Sequence, residues 1–277
     1  MTPKLFAFDL DGTLLDSEKR VRPANAAALR EMRGAGAAVA LASGRIGAGV
    51  RRYVPELGID PALVVLNGAE VYASSQPGAP RIYYAPLDAP YAEYLTDYGR
   101  GKPFALNFYH DDRLYGVRTD KNAAWMDTYY KQTGVGYAFL DDFSALRGVS
   151  PSKIIFIGGE ADLDEQEEYF HSLWGEGEGG SVYVCRTWGH YLEFMNVKAT
   201  KGIGLRVLCD EFGIGLSEAA AYGDEENDIP MLSAAGFGAA MKNSPDRVRA
   251  AAARVTELTN DEDWVAREWE LAKNRGA

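Results

Sequence analysis

Three histidines, two cysteines and no long uncharged apolar run are the scarcities of this 277-residue chain. Each closes off a class of function. Cys185 and Cys209 are too few for a disulfide scaffold, and neither belongs to a CxxC pair. They read as packed, reduced thiols, which points to a reducing compartment. His110, His171 and His190 are scattered, with no spacing that would ligate zinc. Positive charge is also short: 29 Lys and Arg stand against 40 Asp and Glu, a formal net charge of −11. No broad basic face is available for nucleic acid or for an anionic bilayer. The opening MTPKLFAFDLDG has an apolar run, but Asp9 and Asp11 break it, so it is neither a signal peptide nor a spanning helix. The expectation is a cytoplasmic protein whose partner is a small molecule, without nucleic acid and without membrane. Oligomeric state is not legible.

What is present is an ordinary globular composition, 47% hydrophobic and 25% charged, on a chain long enough for two domains. Lys4–Leu10 is short and apolar and predicts a buried strand. Pro23 opens a helix to about Arg33, closed by Gly34 and Gly36. A strand over Ala37–Ala42, a helix over Ile46–Leu57 and a strand over Leu63–Leu66 follow. This βαβαβ order implies a parallel sheet. The middle changes character. Short strands are predicted at Val71–Ala73, Arg81–Ala85, Phe104–Tyr109, Leu114–Val117, Lys153–Ile157, Ser181–Thr187 and Tyr191–Val197, with a helix at Glu160–Trp174 and a Gly/Glu run after it. The first pattern then resumes: helix Thr200–Phe212, strand Ala219–Tyr222, helix Asp228–Ala235, strand Gly236–Met241 and helix Pro245–Arg254. The predicted class is α/β, a Rossmann-like parallel-sheet core over 1–85 plus 197–277, with an α+β unit inserted over 86–196.

Chemistry concentrates where predicted strands end. Phe8-Asp9-Leu10-Asp11-Gly12-Thr13 puts two carboxylates at i and i+2, on one side of an extended chain. Burying both as anions is costly without a cation. Asp-x-Asp-Gly-Thr fixes four positions, a coincidence of about one in 600 for a chain this long if each residue has a frequency of about one in 20. Ser43-Gly44-Arg45 follows the next core strand, where a hydroxyl and backbone N–H groups suit a phosphate, though an N-cap serine would look the same. Gly223-Asp224-Glu225-Glu226-Asn227-Asp228 follows a short strand and opens a helix, where acidic residues are common for the helix dipole alone.

These residues resemble the motifs of the haloacid dehalogenase superfamily, in motif order over the whole chain, and are most similar to its Cof-like branch. The resemblance implies a phosphatase of a small phosphorylated metabolite, such as a sugar phosphate or a phosphorylated cofactor. Asp9 would be the nucleophile and Asp11 the general acid and base. Ser43 and Lys201, the latter followed by Gly202, would complete the catalytic set. Lys198 is a rival to Lys201, because the family's usual glycine before that lysine is missing. Mg2+ would be held by Asp9, Asp11, Asp224 and Asp228, an all-oxygen set that suits this ion. Gly12, Ser43, Gly44, Arg45, Asn67, Lys201 and Asn227 would line the phosphate or substrate. Asn107, Tyr109, His110, Arg113, Trp188, His190 and Tyr191 are candidate substrate contacts in the inserted unit. A phosphomutase with the same carboxylate pair, or a non-catalytic phospho-ligand binder, are the alternatives.

Overall fold

The computed structural model describes residues 2–175, 180–187 and 189–276. Most of the Gly/Glu run, and Trp188, lie outside the described residues. The chain divides into two compact units, Met1–Tyr83 with Thr200–Ala277, and Tyr84–Ala199.

The discontinuous unit begins with β1 (Leu5–Asp9), α1 (Pro23–Gly34), β2 (Ala38–Ala42), α2 (Gly47–Arg51), α3 (Val54–Leu57), β3 (Ala62–Val65), β4 (Glu70–Tyr72) and β5 (Arg81–Tyr84). The middle unit contains α4 (Ala89–Tyr98), β6 (Ala105–His110), β7 (Arg113–Gly116), α5 (Ala123–Thr133), β8 (Tyr137–Phe139), β9 (Lys153–Ile157), α6 (Glu160–Trp174), β10 (Tyr183–Thr187) and β11 (Tyr191–Met195). The chain then returns through α7 (Lys201–Phe212), β12 (Ala219–Gly223), α8 (Ile229–Ala234), β13 (Phe237–Ala240), α9 (Asp246–Ala251), β14 (Arg254–Val255) and α10 (Trp264–Gly276).

In the first unit an eight-stranded sheet runs β14-β13-β12-β1-β2-β3-β4-β5. Strands β14 through β3 are parallel, and β4 turns back antiparallel on β3. Every residue of β1 is buried, because alternate side chains enter two different cores. Phe6 and Phe8 join Leu29 and Met32 of α1 and Trp264 and Trp269 of α10. Leu5 and Ala7 join Leu205 and Leu208 of α7 and Met231 and Leu232 of α8. Each buried phenylalanine contributes roughly 1.5–3 kcal/mol. From β1 the chain steps to β2 and β3 on one side, while β12, β13 and β14 fill the other. Ligands of open α/β sheets bind at such a reversal, outside the carboxyl ends of the strands.

In the second unit a six-stranded sheet runs β10-β11-β9-β6-β7-β8. Leu95 of α4 and Leu163 and Phe170 of α6 pack on Phe108, Phe156 and Phe194 on one of its faces. Asp111 and Asp112 take φ of 47° and 57°, the left-handed pair a two-residue hairpin turn requires. The strands therefore reach His110 and Arg113, each one residue beyond the strand ends expected from the sequence.

Two predicted helices are shorter than expected. Ile46–Leu57 is broken into α2 and α3, because Pro55 has no N–H and its ring opposes the carbonyl four residues earlier. Pro245–Arg254 stops at Ala251, and Arg254 opens the edge strand β14. The elements α4, α5, β8 and α10 were not anticipated. No described helix is long and apolar enough to cross a membrane.

Candidate active site

Three of the motif-bearing residues meet at the carboxyl ends of adjacent strands. Asp9 ends β1, Asp224 follows β12, and Lys201 opens α7. Lys201 Nζ donates to Asp9 Oδ1 at 2.6 Å and to Asp228 Oδ1 at 2.5 Å. The side chains of Lys201, Asp9 and Asp228 are 1%, 8% and 0% exposed, so the contacts are dry. Asp9, Asp224 and Asp228 each offer a carboxylate oxygen within 4.8 Å of the others. Asp228 is further fixed by the N–H groups of Asp224 and Glu225, which donate to its Oδ2 at 2.9 and 3.0 Å.

Electrostatics in this cluster are unbalanced. Burial lifts Asp9 well above the usual carboxylate range; Lys201 opposes the rise, and Asp228, Asp224 and Asp11 add to it. Burial, with the charge of Asp228, pushes Asp224 up to about 7, against a bond from Thr13. Burial works against the Lys201 charge, but Asp228 and Asp9 outweigh it and raise its pKa. Three packed carboxylates beside one ammonium leave a surplus of negative charge that is costly in a dry site. An all-oxygen donor set of this kind fits a hard divalent cation.

Asp11, the fourth residue expected to hold the metal, makes different contacts. Its carboxylate is outside the acidic group and is taken by cations instead. Arg45 grips it through Nε at 2.6 Å and Nη2 at 2.7 Å, and Lys19 Nζ donates at 2.9 Å. Burial alone would raise its pKa, yet the bonds from Arg45 and Lys19 hold it down at about 2. The same pairing raises Arg45. Lys19 was missed by sequence reasoning; it is a lysine in a polar loop, and nothing local to it signals a partner eight residues back.

Gly12 is required by close approach. Its φ is +82°, and a Cβ there would stand 2.2 Å from Asp224 Oδ2. The neighbouring Thr13, also missed as a site residue, is fully buried and donates through Oγ1 to Asp224 Oδ1 at 2.7 Å. Gly202 follows Lys201 because a Cβ there would meet Pro230 O at 2.6 Å; the glycine lets α7 lie against α8. Thr200, in place of the family glycine, caps α7 by accepting from Ile203 N at 3.2 Å. Lys198 is exposed and falls in the other unit, whereas Lys201 makes the buried pairs.

Ser43 is buried after β2, and its Oγ accepts from Arg45 N at 3.2 Å across Gly44. Its carbonyl accepts from Asn67 N at 3.0 Å. Leu66, Asn67 and Gly68 take successive φ of 51°, 58° and 101°, a costly run that tends to mark functional sites. Asn67 Oδ1 accepts from Asn227 Nδ2 at 2.9 Å, which joins the serine and acidic motifs. In the middle unit Asn107 and Tyr109 are interior: Asn107 Oδ1 accepts from the Tyr137 hydroxyl at 2.9 Å, and Tyr109 shares a hydroxyl bond with Tyr129. Tyr191 donates to Gln132, His190 Nδ1 lies 3.2 Å from Gly158 O, and His110 and Arg113 flank the turn.

Residues 6–268 match the haloacid dehalogenase-like hydrolase family. The 5-amino-6-(5-phospho-D-ribitylamino)uracil phosphatase YitU of Bacillus subtilis is 27% identical, with 96% of each chain covered. Phosphatase YwpJ of the same organism is 29% identical, over 95% of this chain and 97% of that one. Among solved structures, a haloacid dehalogenase-like hydrolase from Bacteroides thetaiotaomicron superposes with a TM-score of 0.84 at 26% identity, covering 97% of this chain and 99% of that one.

Proposed function

The chain belongs to the haloacid dehalogenase-like hydrolases and is a phosphatase, and from that premise we propose that it cleaves a small phosphorylated metabolite through an aspartyl-phosphate on Asp9. The observation that carries this reading is the pair of hydrogen bonds that Lys201 donates, one to Asp9 and one to Asp228. It holds one carboxylate at the end of β1 beside a cationic partner for the phosphoryl oxygens. Asp9 attacks phosphorus in line as the ester P–O bond breaks; Asp11, ionised while Arg45 and Lys19 grip it, takes a proton from solvent when the bound ester draws those cations away, and gives it to the leaving oxygen. Asp11, ionised again after that transfer, then takes a proton from water. That water attacks phosphorus, and the bond to Asp9 breaks. Asp9, Asp224 and Asp228 would hold Mg2+, which when bound supplies positive charge to the phosphoryl oxygens. Ser43, with the N–H groups around Gly44 and Gly12, donates to the same oxygens, and Asn227 and Asn67 orient the ester. Residues 86–196 act as an inserted cap that selects the leaving group, which we assign to a sugar phosphate or a phosphorylated cofactor.

The test is release of inorganic phosphate from p-nitrophenyl phosphate and from a panel of phosphorylated metabolites with Mg2+. Asp9→Asn should fold and lose all turnover. A variant that keeps turnover would remove Asp9 from the mechanism.

A further inference from the structure

The loop after β1 is laced to residues far along the chain. Asn243 Nδ2 donates to Gly12 O at 2.8 Å, Trp264 Nε1 to Thr13 O at 2.9 Å, and Asn260 Nδ2 to Leu15 O at 3.0 Å. Asp261 accepts from both the N–H and the hydroxyl of Ser17 at 2.7 Å. Asn243 and Asn260 are themselves joined, since Asn260 N donates to Asn243 Oδ1 at 3.3 Å. Three carbonyls of one short loop thus each receive a side-chain donor from 243–264.

These bonds bear on the acidic group. Gly12 is the residue that must pass within contact of Asp224, and Thr13 is the one that donates to it. A shift of either peptide moves a partner of Asp224. Asn260 and Trp264 are buried and also pack, but Asn243 is exposed. An exposed side chain ordinarily contributes little to stability, yet this one is aimed at the backbone of Gly12.

We propose that Asn243, with Asn260 and Trp264, is a clamp that positions the Gly12–Leu15 loop against Asp224, and that Asn243 is a positioning residue for the phosphatase site. This rests on the function proposed above. Asn243, Asn260 and Trp264 do not themselves touch phosphate in that reading but act through the Gly12–Leu15 loop, so their removal should alter rate and metal response more than substrate affinity.

The experiment compares the full chain with Asn243→Ala and Trp264→Phe, the second keeping an aromatic ring while losing the N–H donor. Turnover of p-nitrophenyl phosphate is measured per folded molecule, and thermal unfolding is followed with and without Mg2+. Each variant should lose about tenfold in kcat with KM within about twofold, the scale of one lost hydrogen bond. The rise in Tm on adding Mg2+ should shrink relative to the wild type, while the metal-free Tm of Asn243→Ala stays within a few degrees. Wild-type kcat and a wild-type Mg2+ shift in both variants would overturn the clamp, as would an activity loss in Asn243→Ala that disappears once corrected for the folded fraction. A wild-type chain that releases no more phosphate than Asp9→Asn would sink the phosphatase reading instead. The Mg2+ shift would then decide the clamp by itself.

Discussion

Lys201 and Asp9 lie 192 positions apart in the chain and 2.6 Å apart in space. Removing that ammonium leaves Asp9 and Asp228 buried without their cation. Lys201→Met should abolish measurable turnover and, without metal, destabilise the fold by about 3–5 kcal/mol at neutral pH, the scale of breaking a buried ion pair from one side. Denaturant melts in EDTA and phosphate release with Mg2+ check both halves. Lys198→Ala, at an exposed position, should change stability by no more than about 0.5 kcal/mol.

Asp224 gives the metal-free protein a pH dependence of definite sign. Its pKa rises from an ordinary 3.8 to about 7 on folding. Between those values the folded chain holds a proton that the unfolded chain has released. Its contribution therefore falls as pH rises, and is lost by about pH 7. In EDTA, the wild type should lose more stability between pH 5 and pH 8 than Asp224→Asn does. Mg2+ should remove the difference, because the cation takes the place of the proton. Thermal melts at the two pH values suffice, and identical slopes for the two proteins would contradict the assignment.

Arg45 and Lys19 should set the acid limb of the rate profile. They hold Asp11 near 2. Arg45→Gln removes the two-pronged grip and should move Asp11 back toward the ordinary carboxylate range, carrying upward the acid limb of kcat, where Asp11 must be ionised to take the proton of the attacking water. Lys19→Ala should move it the same way by less, since it supplies one bond against two. A pH profile between 4 and 8 reads the shift, and a limb that stays put in both variants would detach Asp11 from the profile.

Gly12→Ala places a methyl on Asp224 and forces a residue with a side chain into φ of +82°. The expected cost is about 1–3 kcal/mol, with the Mg2+-induced rise in Tm lost. Gly34→Ala, where a Cβ meets nothing within 4 Å, is the control and should keep the wild-type response.

The strands carrying the site could be read from the chain because burial on both faces leaves a plain mark. Leu5–Phe8 is apolar throughout and then turns acidic at Asp9, and a parallel core strand ending at a ligand requires that change. Helix interruptions were less legible. Pro55 splits a segment whose apolar periodicity is continuous, and periodicity dominates such a reading. The helix α10 went unread although Trp264, Val265, Trp269 and Ala272 recur at helical spacing among charges, all buried. Direction was the least legible property. Arg45 and Lys19 reach the same carboxylate, yet a long cationic side chain beside a site can point at substrate, solvent or acid. Only packing decides among these. For the same reason Asp11 was grouped with Asp9 by spacing, while Arg45 and Lys19 take up its carboxylate.

One consequence concerns the order in which the chain takes shape. Strand β1 pairs with β2 on one side and, through Leu5–Phe8 against Ala219–Tyr222, with β12 on the other. During synthesis the second neighbour does not exist until the whole Tyr84–Ala199 unit has been made. That unit is continuous and can finish folding first, while Phe6 and Phe8 wait half covered. The central strand of the sheet, and with it Asp9, is thus translated ahead of the whole inserted unit and enclosed only after it.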